Sequence, residues 1–426
     1  MVKSIKQSIR GCSDYLPEYM RIWRFLETKI INVLNSYCYN EIQFPIIENT
    51  ELFQRTIGVS TDILLKEMYS FKDKKNNSIT LRPEGTIGCV RTIIENKLNS
   101  ITENRLWYVG PMFRYERPQK GRYRQFNQLG IEVFGISEPE IELELLMIFS
   151  RLLHDLKLSN SVYLEINSIG SKRARRLYIK DLVIFLKKYE KKLDIDSKKR
   201  IYTNPLRILD TKNKAIQSLL KEAPVILDYL DEKSKFHFEK LCLLMNKVNV
   251  KYKINTRLVR GLDYYNDTVF EWKTNSLGSQ NTVCGGGRYD TLFQQIGGKS
   301  TSAVGCAVGI ERLILLIRKE SMILKEAASF IDIYLFFLKK EIYFIVLKLA
   351  ENIRTVFPTL KIKIDFLVSN ISNKLRKANR CNTTVALILG EKEVLTKTVL
   401  VKNLKNNMQM IVSKKELIKY LKKIFF

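Results

Sequence analysis

The chain has 426 residues, 45% hydrophobic and 27% charged, which is enough for two or three domains with substantial cores. Its 72 Lys and Arg against 44 Asp and Glu leave a net charge of +28. That excess favours a polyanionic partner such as nucleic acid, although a composition rich in Lys, Ile and Asn also raises charge passively. Seven scattered cysteines without a CxxC pair, and two histidines (His154 and His237) without a partner at ligand spacing, argue against a disulfide framework, a zinc site or a Ser-His-Asp triad. The N-terminus lacks the apolar core of a signal peptide, and no apolar run approaches the length of a membrane span, so a soluble cytoplasmic chain with no membrane partner is expected.

From Tyr19 to Tyr39 apolar residues repeat at helical spacing (Ile22, Leu26, Ile30, Val33, Leu34). The stretch "EIQFPII" then alternates as a strand, with Pro45 marking an edge, a bulge or an interface. Next, "SITLRPEGTIGCVRTIIENKL" predicts a strand ending near Leu81 and a helix beginning near Glu84, because Pro83 holds Arg82 extended. "EPEIELELLMIFSRLLHDL" predicts a helix with an acidic first turn, and "SVYLEINS" a strand. Between Ser171 and Arg200, twelve Lys and Arg stand against four Asp and Glu on a helical pattern that continues to about Val250. It reads as an inserted helical domain whose basic face either meets a partner or is simply solvated. Strands resume in "TRLVRGLDYYNDTVFEWKTN", "QNTVCGGGRYD" and "AVGCAVGIERLILLI". The last part alternates short apolar strands ("IDIYLFFL", "KIKIDFL", "TVALILG") with helical patterns and ends on a helix opened by Ser413-x-x-Glu416, the spacing of a small α/β domain.

The stretch "VGPMFRYERPQKGRYRQFNQLG" (109–130) reads as a hairpin with Arg114, Arg117, Lys120, Arg122 and Arg124 crowded at its tip and mouth. Strand parity gives Arg114 and Glu116 one shared face, and lets Gln128 and Glu132, also of one parity, line the same pocket as each other. A guanidinium borne on a strand is rigidly aimed, and its planar fork matches phosphate or carboxylate oxygens.

These residues resemble motif 2 of class II aminoacyl-tRNA synthetases, in the form found in the histidyl-tRNA synthetase family. "FPIIENTELFQRTIG" is similar to motif 1, "LVRGLDYYNDTVFEW" to the histidine-specific signature, and "AVGCAVGIERLILLI" to motif 3. The likeness follows the family's order and covers essentially the whole chain. It implies an α+β class II core built on an antiparallel sheet, with a helical insert and a C-terminal α/β anticodon-binding domain. The segments are 1–170 (motifs 1 and 2), 171–254 (insert), 255–325 (histidine-specific motif and motif 3) and 331–426 (anticodon-binding domain). It further implies a homodimer with Pro45 at the interface, and L-histidine, ATP with Mg2+, and tRNA-His as partners. Where the family carries a Gly-rich basic linker, around 366–376, this chain reads "FLVSNISNKLRKAN".

By the same resemblance, Arg114 holds the α-phosphate and the amino-acid carboxylate, and Arg260 stands opposite it where other class II enzymes place a metal ion. Glu116 meets the adenine end of ATP, and Arg122 and Arg312 grip the distal phosphates. Glu132 and Tyr265 bond the two imidazole nitrogens, Glu84 and Thr86 take the α-amino group with Gln128 nearby, and Tyr264 and Tyr289 complete the walls. No protein metal-ligand motif is expected. The implied reaction is ATP-dependent ligation of histidine to tRNA. The alternative is a non-catalytic, histidine-sensing regulatory paralogue of ATP phosphoribosyltransferase, in which the catalytic arginines would be eroded; Arg114, Arg260 and Arg312 are all present.

Overall fold

The computed structural model describes residues 7–58, 61, 63–98, 103–278, 281–319, 331–367 and 370–426. Two compact units divide at Ala327/Ala328. The expected end of the catalytic core at 325 lies outside the described residues, as do positions 368 and 369 of the altered 366–376 stretch.

The first unit is organised by an eight-stranded sheet in the order 40–41, 104–113, 125–134, 303–309, 282–288, 266–273, 163–168, 253–254. All its internal pairings are antiparallel, and only the two short edge strands join in parallel. Alternation sorts its faces. Leu129, Ile131, Val133, Val304, Cys306 and Val308 pack against Leu26, Ile30, Leu146, Phe149, Leu313 and Ile314 from the helices Pro17–Ser36, Glu140–Asp155 and Ile310–Ile317. The opposite face carries Tyr108, Gln128 and Glu132, and Arg114 follows directly on the strand 104–113.

A three-stranded sheet (Ile47–Asn49, Ser78–Leu81 and Tyr69–Lys72) lies beside the helix Thr86–Glu95. Four helices occupy the predicted insert: Lys172–Lys188, Ile195–Thr203, Lys214–Leu219 and Glu232–Lys247. Each begins where a side-chain oxygen of Ser171, Asp194, Asn213 or Asp231 accepts from a backbone N–H of the first turn, which answers the donors that a helix start leaves unpaired. Tyr178, Leu182 and Leu186 of the first helix enter the same core as Tyr264, Tyr265 and Tyr289.

Two expectations change. "EIQFPII" is not one strand: pairing ends with the Ile42 N–H on the Trp107 carbonyl (2.8 Å), and Ile47 starts a strand of the smaller sheet. The intervening carbonyls of Phe44 and Ile46 are taken instead by the Arg82 guanidinium (3.0 Å) and the Arg82 backbone N–H (2.9 Å). Likewise the strand expected from Thr256 onward begins only at Asn266. Residues 255–265 spend backbone groups on one turn (Leu258 N–H to the Asn255 carbonyl, 2.9 Å) and on separate partners: the Asp263 N–H donates to the Ile57 carbonyl at 3.2 Å, and the Asn167 side chain donates to the Leu258 carbonyl at 3.0 Å.

The second unit is a five-stranded sheet in the order 362–365, 333–337, 385–389, 398–403, 409–413, parallel across its first three strands and antiparallel across the rest. The helices Tyr343–Val356 and Leu417–Phe425 close its core around Ile333, Leu335, Val346, Ile353, Leu387 and Leu421.

Candidate active site

A cavity of about 670 Å³ lies over the large sheet. Arg114, Glu116, Arg122, Gln128, Arg260 and Arg312 all line it. Each of three guanidinia is aimed by a protein acceptor. Arg114 donates Nε–H to the Pro83 carbonyl at 2.8 Å, and Arg312 donates to the carbonyls of Gly121 (2.9 Å) and Thr282 (2.5 Å). Arg260 is ion-paired with Glu271. Crowding is costly here. Burial, then the neighbouring Arg114 and Arg122, push Arg312 down to about 10, and burial pulls Arg114 below the ordinary arginine value. Arg260 goes the other way: burial pulls it down most, but the Glu271 carboxylate together with Tyr265 and Tyr264 more than offsets that. A cavity that concentrates positive charge in this way suits a polyanion.

Glu116 sits differently from its predicted place. The strand stops at Phe113, and the Glu116 N–H bonds back to the Arg114 carbonyl at 2.8 Å in a three-residue turn, so strand parity no longer applies. Its carboxylate pairs with Arg122 across the loop.

The remaining predicted residues form a buried cluster beside the arginines. Glu132 is fully buried and accepts from Thr86 Oγ1 (2.8 Å), Tyr108 OH (3.0 Å) and Tyr289 OH. Burial pushes its carboxyl up to about 8 against the pull of those hydroxyls. Glu84 caps the helix Thr86–Glu95, accepting from the N–H groups of Thr86 (2.9 Å) and Ile87 (2.8 Å), and Tyr264 OH reaches it at 3.4 Å. The rings of Tyr264, Tyr265 and Tyr289 meet at centroid distances of 4.7–6.2 Å, and burial raises Tyr265 to about 12. Gln128 Oε1 and Arg260 Nε are buried without a hydrogen-bond partner, an arrangement that a polar ligand in the cavity would relieve.

Several residues escaped the sequence reading. Glu271, Lys273 and Thr282 line the cavity and meet one another, and Tyr108 reaches Glu132 from the neighbouring strand. Asp194, Arg200, Arg207 and Asp210 bring the insert to the cavity wall. Arg175, on the first insert helix, donates to the Tyr265 carbonyl at 2.7 Å. The available signal was Glu271 itself, a lone acid inside the apolar run "TVFEW".

An antiparallel sheet with helices on one face and an arginine-lined cavity over the other is the catalytic core of a class II aminoacyl-tRNA synthetase. The family model for histidyl-tRNA synthetase matches residues 11–313, and that for the anticodon binding domain matches 333–424. A histidine–tRNA ligase of Buchnera aphidicola subsp. Schizaphis graminum is 52% identical over 98% of both chains, and one of Buchnera aphidicola subsp. Baizongia pistaciae is 49% identical over the full length of both. Among solved structures, apo histidyl-tRNA synthetase from S. aureus superposes with a TM-score of 0.80 at 32% identity, covering 98% of this chain and 99% of that one. The chain belongs to the histidyl-tRNA synthetase family, whose members are ATP-dependent ligases of histidine and tRNA.

Proposed function

We propose that the cavity is where ATP and L-histidine are joined to histidyl-adenylate with loss of pyrophosphate, before histidine passes to the terminal ribose of tRNA-His. The convergence of Arg114, Arg260 and Arg312 on one cavity, each aimed by a protein acceptor, carries this reading. Arg114 and Arg260 hold the α-phosphate from two sides, and Arg114 also orients the histidine carboxylate. Arg122 and Arg312 take the distal phosphates, helped by the positive end of the helix Ile310–Ile317. Glu116 meets the adenine. Glu132 and Tyr265 bond the imidazole, Glu84, Thr86 and Gln128 receive the α-amino group, and Tyr264 and Tyr289 wall the pocket. The attacking carboxylate is already ionised, so no side chain acts as base. Catalysis is positioning plus stabilisation of charge growing at phosphorus.

Mg2+, when bound with the triphosphate, would add positive charge to that already supplied by Arg122 and Arg312. Among the described residues no cluster of three His, Cys, Asp or Glu could hold a metal, and Glu116 and Glu271 are engaged by guanidinia. The C-terminal unit takes the anticodon arm, and the basic insert, 171–254, faces the acceptor arm. We infer a cytoplasmic homodimer. The described cysteines are all free, no described helix is long and apolar enough to cross a membrane, and the small sheet turns an apolar face outward.

Histidine-dependent exchange of labelled pyrophosphate into ATP tests the reading. Arg260→Ala is expected to lower the exchange rate by roughly 10²–10³, as for loss of one preorganised charge stabiliser. A loss below about threefold removes Arg260 from the reaction, and no exchange in the parent protein refutes the assignment of this cavity as the adenylate site.

A further inference from the structure

Given the role just assigned to Arg260, we propose that Glu271 is its positioning residue, a carboxylate that aims the guanidinium at the reacting phosphate and is itself held by Thr282 and Lys273. The two oxygens divide the task. Oε1 takes Arg260 Nη1, while Oε2 accepts from Thr282 Oγ1 at 3.0 Å and lies 3.1 Å from Lys273 Nζ. Two donors on one oxygen fix the plane of the carboxylate, so the other oxygen presents a single direction. Lys273 is anchored in turn by Glu165 at 2.9 Å, and Glu165 by Asn255 Nδ2 at 2.7 Å.

The backbone explains why Arg260 needs such an anchor. Arg114 leaves the end of a long strand and Arg312 sits in the first turn of a helix, but Arg260 lies in the non-strand segment before Asn266. A long side chain on a loop is poorly aimed by its own backbone. Glu271, by contrast, sits in a strand paired on both sides, to Gly285 and to Glu165. The register slips between Thr282 and Cys284, a bulge that turns the Thr282 side chain toward Glu271. Gly285 closes the arrangement from below, since a Cβ there would stand 2.6–2.7 Å from three guanidinium atoms of Arg260. Although burial pushes the Glu271 carboxyl up, Arg260 and Lys273 hold it below the ordinary glutamate value, so the anion needed for aiming is kept.

A double-mutant cycle in pyrophosphate exchange tests the link. Glu271→Gln is expected to lower kcat about 30-fold, with KM for histidine and for ATP changed less than about threefold and the melting temperature close to the parent's. Added to Arg260→Ala, it should cost less than about threefold more, because the group it aims is gone. A further loss of about 30-fold in that background overturns the proposal. An inert Arg260→Ala would instead sink the underlying role of Arg260, which separates the two failures. If Gln at 271 prevents folding, Thr282→Val removes only the donor to Oε2. It should lower kcat about fivefold with Arg260 present and not at all with Ala there; equal losses overturn the proposal. The Mg2+ concentration for half-maximal exchange should be unchanged in Glu271→Gln, and a several-fold rise would mean a metal-ligand role instead.

Discussion

Glu132 shows how one side chain ties stability to recognition. It has no exposed surface, three hydroxyls point at it, and burial raises its carboxyl to about 8. An unfolded glutamate titrates near about 4.3. Below that pH both states hold the proton and the group contributes nothing to pH dependence. Between about 4.3 and 8 the folded protein keeps a proton that the unfolded chain has released, so stability falls as pH rises, by about 1.4 kcal/mol per pH unit from this group. Above about 8 the slope ends. Glu132→Gln has nothing to titrate there. In denaturant melts, its stability relative to the parent should therefore improve by roughly 2–3 kcal/mol from about pH 5.5 to about pH 7.5. Parallel curves would mean an ionised Glu132 in the folded protein. In exchange assays the same variant should raise KM for histidine at least about tenfold and KM for ATP less than about threefold, because a pocket built on polar pairing is sensitive to the loss of one partner. Equal losses would take Glu132 out of imidazole recognition.

At the scale of elements, the site depends on strands that give up side chains. A Cβ at Gly305 would overlap Glu132 Oε2, and one at Gly285 would press on Arg260. Gly285→Ala should therefore lower kcat for exchange at least about tenfold, by tilting the guanidinium rather than unfolding the sheet, with the melting temperature within a few degrees of the parent's. Unchanged kcat would show that Arg260 has room to adjust. Much of this framework was legible in the sequence. The helix Pro17–Ser36, the hairpin 104–113/125–134 and the alternating elements after 333 follow periodicities that local sequence encodes, and Arg114 and Arg312 sit where regular elements end or begin. Other parts were not. The segment 255–265 has a strand-like mixture of apolar and polar residues, but its hydrogen bonds go to a turn and to scattered tertiary partners such as Ile57, Asn167 and Arg175. Glu116 was placed by parity, and a turn cancels parity. Thr282 meets Glu271 only through a bulge in the sheet register, and the insert reaches the cavity wall only through tertiary packing. Neither relation leaves a local pattern to read.

For the molecule as a whole, the small sheet is built inside out. Glu48 and Thr80 are buried: Thr80 bonds Thr50 (2.8 Å) and the exposed Ser70 beside it (2.7 Å), and Glu48 pairs with Arg91 of the adjoining helix. By alternation Ile47, Tyr69, Phe71, Ile79 and Leu81 share the outward face, with Ile47 48% and Phe71 45% exposed. An apolar sheet face turned to solvent costs free energy unless another surface covers it, and a second copy of this chain is the covering surface proposed above. The parent should then sediment at twice the 49.9 kDa chain mass. Phe71→Glu, which puts a carboxylate that a covering surface would have to desolvate on that apolar face, should sediment at 49.9 kDa. Activity should fall with assembly, because the same segment supports the arginine hairpin: the Tyr115 N–H donates to the Glu67 carbonyl at 2.7 Å, and Arg122 lies 3.5 Å from the Glu67 carboxylate. A parent that sediments as a monomer leaves the apolar face uncovered and refutes the dimer. A dissociated but fully active Phe71→Glu would show instead that one copy of the hairpin holds its arginines unaided.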